Sequence, residues 1–125
     1  DMLHFIFGEI KHNEVHYRGE KTSSGFLQYE RANVRWFLSI DSNHLPENAV
    51  QGEKLTYRSI DVEGEELEFS GGFTDLHTQS YERILEGKGY GVEDNRAAIE
   101  TVDVMRKSRI IECPKNPHPL LSKVK

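Results

Sequence analysis

Residues 34–41 constrain this chain more than any other stretch. Val34, Trp36, Leu38 and Ile40 alternate with Arg35, Phe37, Ser39 and Asp41, and a period of two is the signature of a half-buried β-strand. The reading places it at the centre of a sheet. Two further strand patterns precede it. Glu9 to Arg18 is polar apart from Ile10, Val15 and Tyr17 and reads as an edge strand. Gly25 to Arg31 carries Leu27 and Tyr29 on one face after a turn-like stretch from Gly19 to Ser24. Ser42 to Lys54 has no period and reads as a long loop. Tyr57 to Glu63 and Glu66 to Phe69 flank Glu63-Gly64 as a hairpin, with Ile60, Val62, Leu67 and Phe69 inward.

The period then changes. Ser70-Gly71-Gly72 breaks the chain, Thr74 is placed to cap a helix, and Asp75 suits its positive end. His77, Tyr81, Ile84 and Leu85 form one helical stripe, stopped by Gly87, Gly89 and Gly91. A second helix opens with Glu93-Asp94 and is expected to bury Ala98, Ile99, Val102 and Met105. Arg106, Lys107 and Arg109 fall at its negative end. Pro114, Pro117 and Pro119 argue for an extended tail over 112–125. Asp1 to Gly8 reads as the tail of an apolar helix, closed by Gly8, that began upstream. Strands in series followed by helices define an α+β fold: an open, mainly antiparallel sheet with helices packed on one face. The 125 residues make a single domain. The uncovered face, with Phe37 and Tyr57 as its aromatic candidates, is expected to be a partner surface.

Composition excludes several functions. A net charge of −5, with basic residues scattered, offers nucleic acid no electrostatic footprint. No apolar run is long enough to span a membrane and no signal peptide opens the chain. The one cysteine, Cys113, forbids an internal disulfide and fits a reducing cytoplasm. His12 and His16 have a zinc-like spacing, but four residues of strand span about 13 Å, too far for one metal. Cys113 with His118 in the Pro-rich tail is no stronger. Gly87-x-Gly89-x-Gly91 follows a helix, whereas a dinucleotide-binding turn needs strand, glycines and then helix. Ser70 and His77 lack a recognisable carboxylate partner for nucleophilic chemistry.

The densest stretch is Ser70 to Tyr81, which gathers glycines, hydroxyls, a carboxylate and an imidazole around one helix start. Such an end suits an anionic or hydroxyl-rich ligand. An ordinary structural role, with Thr74 as cap and His77 as a hydrogen-bonded core histidine, fits the same residues.

Several segments resemble a known family. Asp1-Met2-Leu3 followed by Gly8 resembles the close of the G-x-H-x-x-D … G motif of the glucose–fructose oxidoreductase, inositol dehydrogenase and rhizopine-catabolism family. Val34 to Asp41, Tyr57 to Ile60, Gly64 to Ser70 and Gly72 to Thr78 are similar to one branch. That branch comprises the UDP-N-acetyl-2-amino-2-deoxyglucuronate 3-dehydrogenases of lipopolysaccharide O-antigen synthesis. The resemblance covers Asp1 to about Ile110. It implies a C-terminal substrate-side and oligomerisation domain. An N-terminal Rossmann half, absent here, would bind NAD(H) and carry the catalytic lysine, and the catalytic histidine would precede Asp1 by three positions. The parent would oxidise a sugar nucleotide at C3; this portion alone would hold no cofactor or metal and no activity. The substrate contacts implied here are Thr74, Asp75, His77, Thr78 and Tyr81, with Arg58 for a phosphate or carboxylate. Self-association would use the open sheet face. A non-catalytic α+β module binding a ligand or partner through that face is the alternative.

Overall fold

The computed structural model describes residues 2–71 and 74–124. Contacts group the chain into two compact units, Asp1–Ile40 with Gly91–Lys125, and Asp41–Tyr90.

The first unit is built on an antiparallel sheet of β1 (Ile10–Arg18), β2 (Thr22–Tyr29) and β3 (Asn33–Ser39), in that order. The strand at 34–41 is therefore an edge of this sheet, and β2 is its centre. β2 opens on three hydroxylic residues, Thr22, Ser23 and Ser24, which carry no apolar alternation. Those hydroxyls are satisfied within the sheet: Ser24 Oγ donates to Trp36 O at 2.9 Å and Ser23 Oγ to Tyr17 O at 3.0 Å. Thr22 and Ser24 are buried, so the strand starts at Thr22 rather than Gly25.

Register assigns the two faces. Ser24 pairs with Phe37, Phe26 with Arg35 and Glu14, and Gln28 with His12, which puts these side chains on one face. Gly25, Leu27, Val34, Trp36, Asn13 and Val15 occupy the other. Val15, Leu27 and Tyr29 are buried there. Two helices cover this second face. Helix α1 (Met2–Phe7) ends at Gly8, whose φ of +84° favours glycine. It sets His4 and Phe7 against the Tyr29 ring at centroid distances of 5.4 and 6.1 Å. At the β1 end, Arg18 Nη2 donates to Met105 O and Ser108 O at the close of the long helix Val92–Lys107, at 2.6 and 3.0 Å. Gly25 is required where it stands: a Cβ would lie 2.1 Å from Glu14 O and 2.6 Å from the Trp36 ring.

The long helix turns differently from its apolar pattern. Ala98, Thr101, Met105 and Ser108 are its half-covered positions, while Ile99 and Val102 are 65% and 55% exposed. Two polar contacts set this rotation: Thr101 Oγ1 meets His4 Nε2 at 3.0 Å and Ser108 Oγ donates to Asn13 Oδ1 at 3.3 Å.

The tail is not wholly extended. Pro119–Lys123 forms a 3-10 helix with His118 as its cap. Proline at the first helical position lacks only an N–H that would be unpaired anyway, so it starts a helix as readily as it forbids continuing one.

The second unit holds α2 (Glu47–Gln51), hairpin strands β4 (Ser59–Val62) and β5 (Glu65–Glu68), and α3 (Leu76–Leu85); the long helix of the first unit is α4. The expected loop at 42–54 contains a 3-10 turn at Ser42–His44 and then α2. Asp41 accepts the Asn43 N–H at 3.0 Å and Ala49 is buried, which fixes that region locally. The hairpin turns at Glu63 and Gly64, both at positive φ (55° and 90°), the conformation that matches strand twist. Tyr57 lies in this unit and not on the three-stranded sheet; its hydroxyl donates to Glu66 Oε1 at 2.8 Å. Helix α3 stops in a Schellman motif. Lys88 N–H donates to Arg83 O at 2.8 Å and Gly87 N–H to Ile84 O at 3.0 Å, with Gly87 at φ +72°.

Candidate functional site

All six residues singled out from the sequence lie in the second unit. Five stand at the N-terminal end of α3 and one at the base of the hairpin. Asp75, not Thr74, occupies the cap position; its backbone is left-handed at φ 56° and ψ 19°, and its carboxylate makes no capping bond. An extended cap residue aims its side chain at the first free N–H groups; the left-handed turn at Asp75 departs from that geometry. Gly72 and Phe73, which precede it, lie outside the described residues.

His77, Thr78 and Tyr81 follow at helical spacing and share one side of α3. His77 is exposed, so the core-histidine role expected as the ordinary alternative is not the one it takes. Thr78 is exposed and Tyr81 is 68% exposed. Arg58 is placed by backbone bonds at the hairpin's open end. Its N–H donates to Ser70 Oγ at 2.8 Å, and its carbonyl accepts the Phe69 N–H at 2.9 Å. The start of α3 thus exposes imidazole, hydroxyls and a carboxylate, groups able to hydrogen-bond a hydroxyl-rich or anionic ligand, and Arg58 adds a guanidinium at the hairpin.

A second cluster lies on β1. Alternation along β1 puts His12, Glu14 and His16 on one face, and the β-bulge between Val15 and Tyr17 brings Tyr17 onto it as well. His16 Nε2 then meets Glu14 Oε2 at 2.8 Å, while His12 Nε2 meets Oε1 at 3.1 Å. Hydrogen bonds from His16 first and His12 second hold the Glu14 carboxyl below the usual carboxylate range. His16 is 1% exposed, and its Nδ1 is buried with no hydrogen-bond partner among the described residues. Among the described residues no group of three His, Cys, Asp or Glu side chains is disposed to hold a metal ion. The sequence signal for this cluster is the His-x-Glu-x-His spacing itself: the two histidines are too far apart for one metal, but each is two residues from Glu14 on the same face of the strand.

Both named sheets are antiparallel, and Gly87, Gly89 and Gly91 follow α3 rather than a strand. No helix is long and apolar enough to cross a membrane among the described residues.

No protein-family model matches the chain. Solved structures do. The chain is similar to the WlbA (WbpB) dehydrogenase from Thermus thermophilus in complex with NAD and α-ketoglutarate, at 45% identity and a TM-score of 0.86. The match covers 95% of this chain and 39% of that one. A structure of the WlbA (WbpB) dehydrogenase from Thermus thermophilus with NAD and UDP-GlcNAcA matches at 43% identity and a TM-score of 0.86, over 95% of this chain and 38% of that one. The resemblance read from Val34 to Asp41 and its companion segments thus holds in three dimensions: over nearly its whole length, this α+β chain is similar to a part of the WlbA (WbpB) dehydrogenase and spans about two-fifths of it.

Proposed function

We propose that this chain is the C-terminal, substrate-side and assembly portion of an NAD-dependent oxidoreductase that oxidises a UDP-N-acetylhexosaminuronate at C3, in cytoplasmic lipopolysaccharide O-antigen synthesis. The observation that carries this is 45% identity over 95% of the chain to a dehydrogenase whose structures hold NAD and, in one, UDP-GlcNAcA. Hydride transfer belongs to the cofactor, and in this reading the dinucleotide falls to the part of the parent that this chain does not span. The chain's own task is to hold the sugar nucleotide. Thr74, Asp75, His77, Thr78 and Tyr81 supply hydrogen-bond donors and acceptors for sugar hydroxyls, and Arg58 a fork for a carboxylate or phosphate. Self-association is the other part of this reading; on the Phe37 face of the sheet it is confined to the area that the C-terminal segment, whose His118 ring stacks on Phe37, leaves open.

The test is a chimera joining this chain to the remaining portion of the Thermus dehydrogenase. The chimera should reduce NAD in the presence of UDP-GlcNAcA, and the 125-residue chain alone should not. In the chimera, His77→Ala and Arg58→Ala should raise KM about tenfold each, the loss of one charged or well-oriented hydrogen bond. Turnover by the chain alone would overturn the division of labour. Unchanged KM in both variants would move the substrate site elsewhere. Light scattering of the intact chain tests the assembly role.

A further inference from the structure

The C-terminal segment runs from one edge of the three-stranded sheet to the other. It leaves α4 at Ser108 and first lies beside β1, where Val15 and Ile110 form a parallel bridge and the Ile111 N–H donates to Val15 O at 2.8 Å. It ends over β3, where the His118 ring stacks on Phe37 with centroids 5.5 Å apart and planes 27° apart. β1 and β3 are on opposite sides of β2, so the segment crosses the face that the sequence left bare. On that face His16 and Ser24 are 1% and 0% exposed, and Leu121 of the segment is itself buried.

His118 holds the far end in two ways that need an uncharged ring. Its Nδ1 accepts the Leu120 N–H at 3.2 Å and so caps the 3-10 helix Pro119–Lys123. An imidazole nitrogen that accepts is unprotonated. The ring also stands close enough to feel the charge of Arg35, which shares the Phe37 face of β3. A proton on Nδ1 would remove the cap acceptor and set one cation against another.

We infer that residues 110–124 are a strap across the sheet, latched at its far end by the neutral His118 ring, and that protonating this ring unlatches it. The charged and titratable groups around the latch leave the ring no charge partner in the described contacts. β3 contributes Arg35. β2 presents Thr22, Ser24, Phe26 and Gln28, none of them charged. β1 presents Glu14, His12 and His16, and Glu14 is engaged by both of those imidazoles; Tyr17 shares that face by its pairing with Ser24. The strap itself carries Glu112, Lys115 and Lys123. Burial first, and Arg35 second, push the His118 pKa below its ordinary value. The sign follows: a depressed imidazole favours the latched state fully above the unfolded value of about 6.5, and that preference is lost as the pH falls below it. The inference stands apart from the enzymatic assignment.

The test is NMR of the intact chain from about pH 8 to about pH 5, the window in which imidazoles titrate. The His118–Phe37 ring cross-peak and the exchange protection of the Leu120 amide should be present at the upper end. Both should be lost in one step that coincides with the His118 ring titration, while the Leu27 amide in β2 stays protected. His118→Asn keeps a cap acceptor and cannot protonate, so its Leu120 protection should persist across the window. The inference is overturned if the cross-peak survives ring protonation or if Leu27 loses protection at the same pH. It is equally overturned if His118→Asn loses Leu120 protection with the wild-type midpoint.

Discussion

The two units bury their apolar side chains very differently. In the unit of Asp1–Ile40 and Gly91–Lys125, Val15, Leu27, Tyr29 and Leu121 are buried together with His16, Thr22 and Ser24. In the unit of Asp41–Tyr90, Ala49 is the sole buried residue among those described. There Leu55 is 93% exposed, Leu85 88% and Tyr90 75%. Hydrogen bonds do not separate the units: each has satisfied turns, and the second has a hairpin and a well-capped helix end. Apolar burial does, and burial is the dominant favourable term in folding. The difference teaches that regular secondary structure and a core are separate achievements. The second unit is held by local geometry, and the first by a packed sheet.

Four substitutions sharpen or break that comparison. The largest effect belongs to Gly25→Ala, whose Cβ meets a β1 carbonyl and the Trp36 ring. It should cost about 3 kcal/mol, read as a lower denaturant midpoint for the sheet; an unchanged midpoint would mean that β1 and β2 are not seated as described. His16→Ala comes next. It empties a fully buried site and removes a bond to Glu14, and a loss of about 2 kcal/mol is expected from thermal melts. Gly87→Ala places a side chain at φ +72° and should cost about 1 kcal/mol. Its signature is faster amide exchange at the end of α3 with the β2 amides unaffected. Leu85→Ala should change the stability of the isolated chain by less than about 0.5 kcal/mol, as an exposed site does. A larger loss would show that the second unit has a core after all.

Nine ion pairs among the described residues bear little on this comparison. Apart from His16 with Glu14, they join largely exposed partners, such as Arg96 with Glu93 and Lys107 with Asp103. Exposed pairs of this kind are worth at most about 1 kcal/mol each. They keep α4 wet and do not decide how it packs.

Much of the fold was legible because it rests on local rules. Alternation found β3, Glu63-Gly64 found the hairpin turn, and Gly87 found the end of α3, each a matter of backbone conformation over a few residues. The candidate site was legible as composition, with His77, Thr78 and Tyr81 on one side of a helix. Its cap was not, because Thr74 and Asp75 are both capable residues and the left-handed turn at Asp75 decides between them. α2 escaped notice because a five-residue helix shows too little period to read.

By itself, the order of residues determined the α+β class, the antiparallel pairing and the likeness to a dehydrogenase segment, since periodicity, turn chemistry and motif are all carried by near neighbours. Only the tertiary structure decided that β2 and not β3 is central and that α4 turns Thr101 and Ser108 toward the sheet. It alone decided that the proline-rich end closes over Phe37. These outcomes depend on which distant groups satisfy one another's hydrogen bonds and exclude water, and no spacing along a chain encodes that choice.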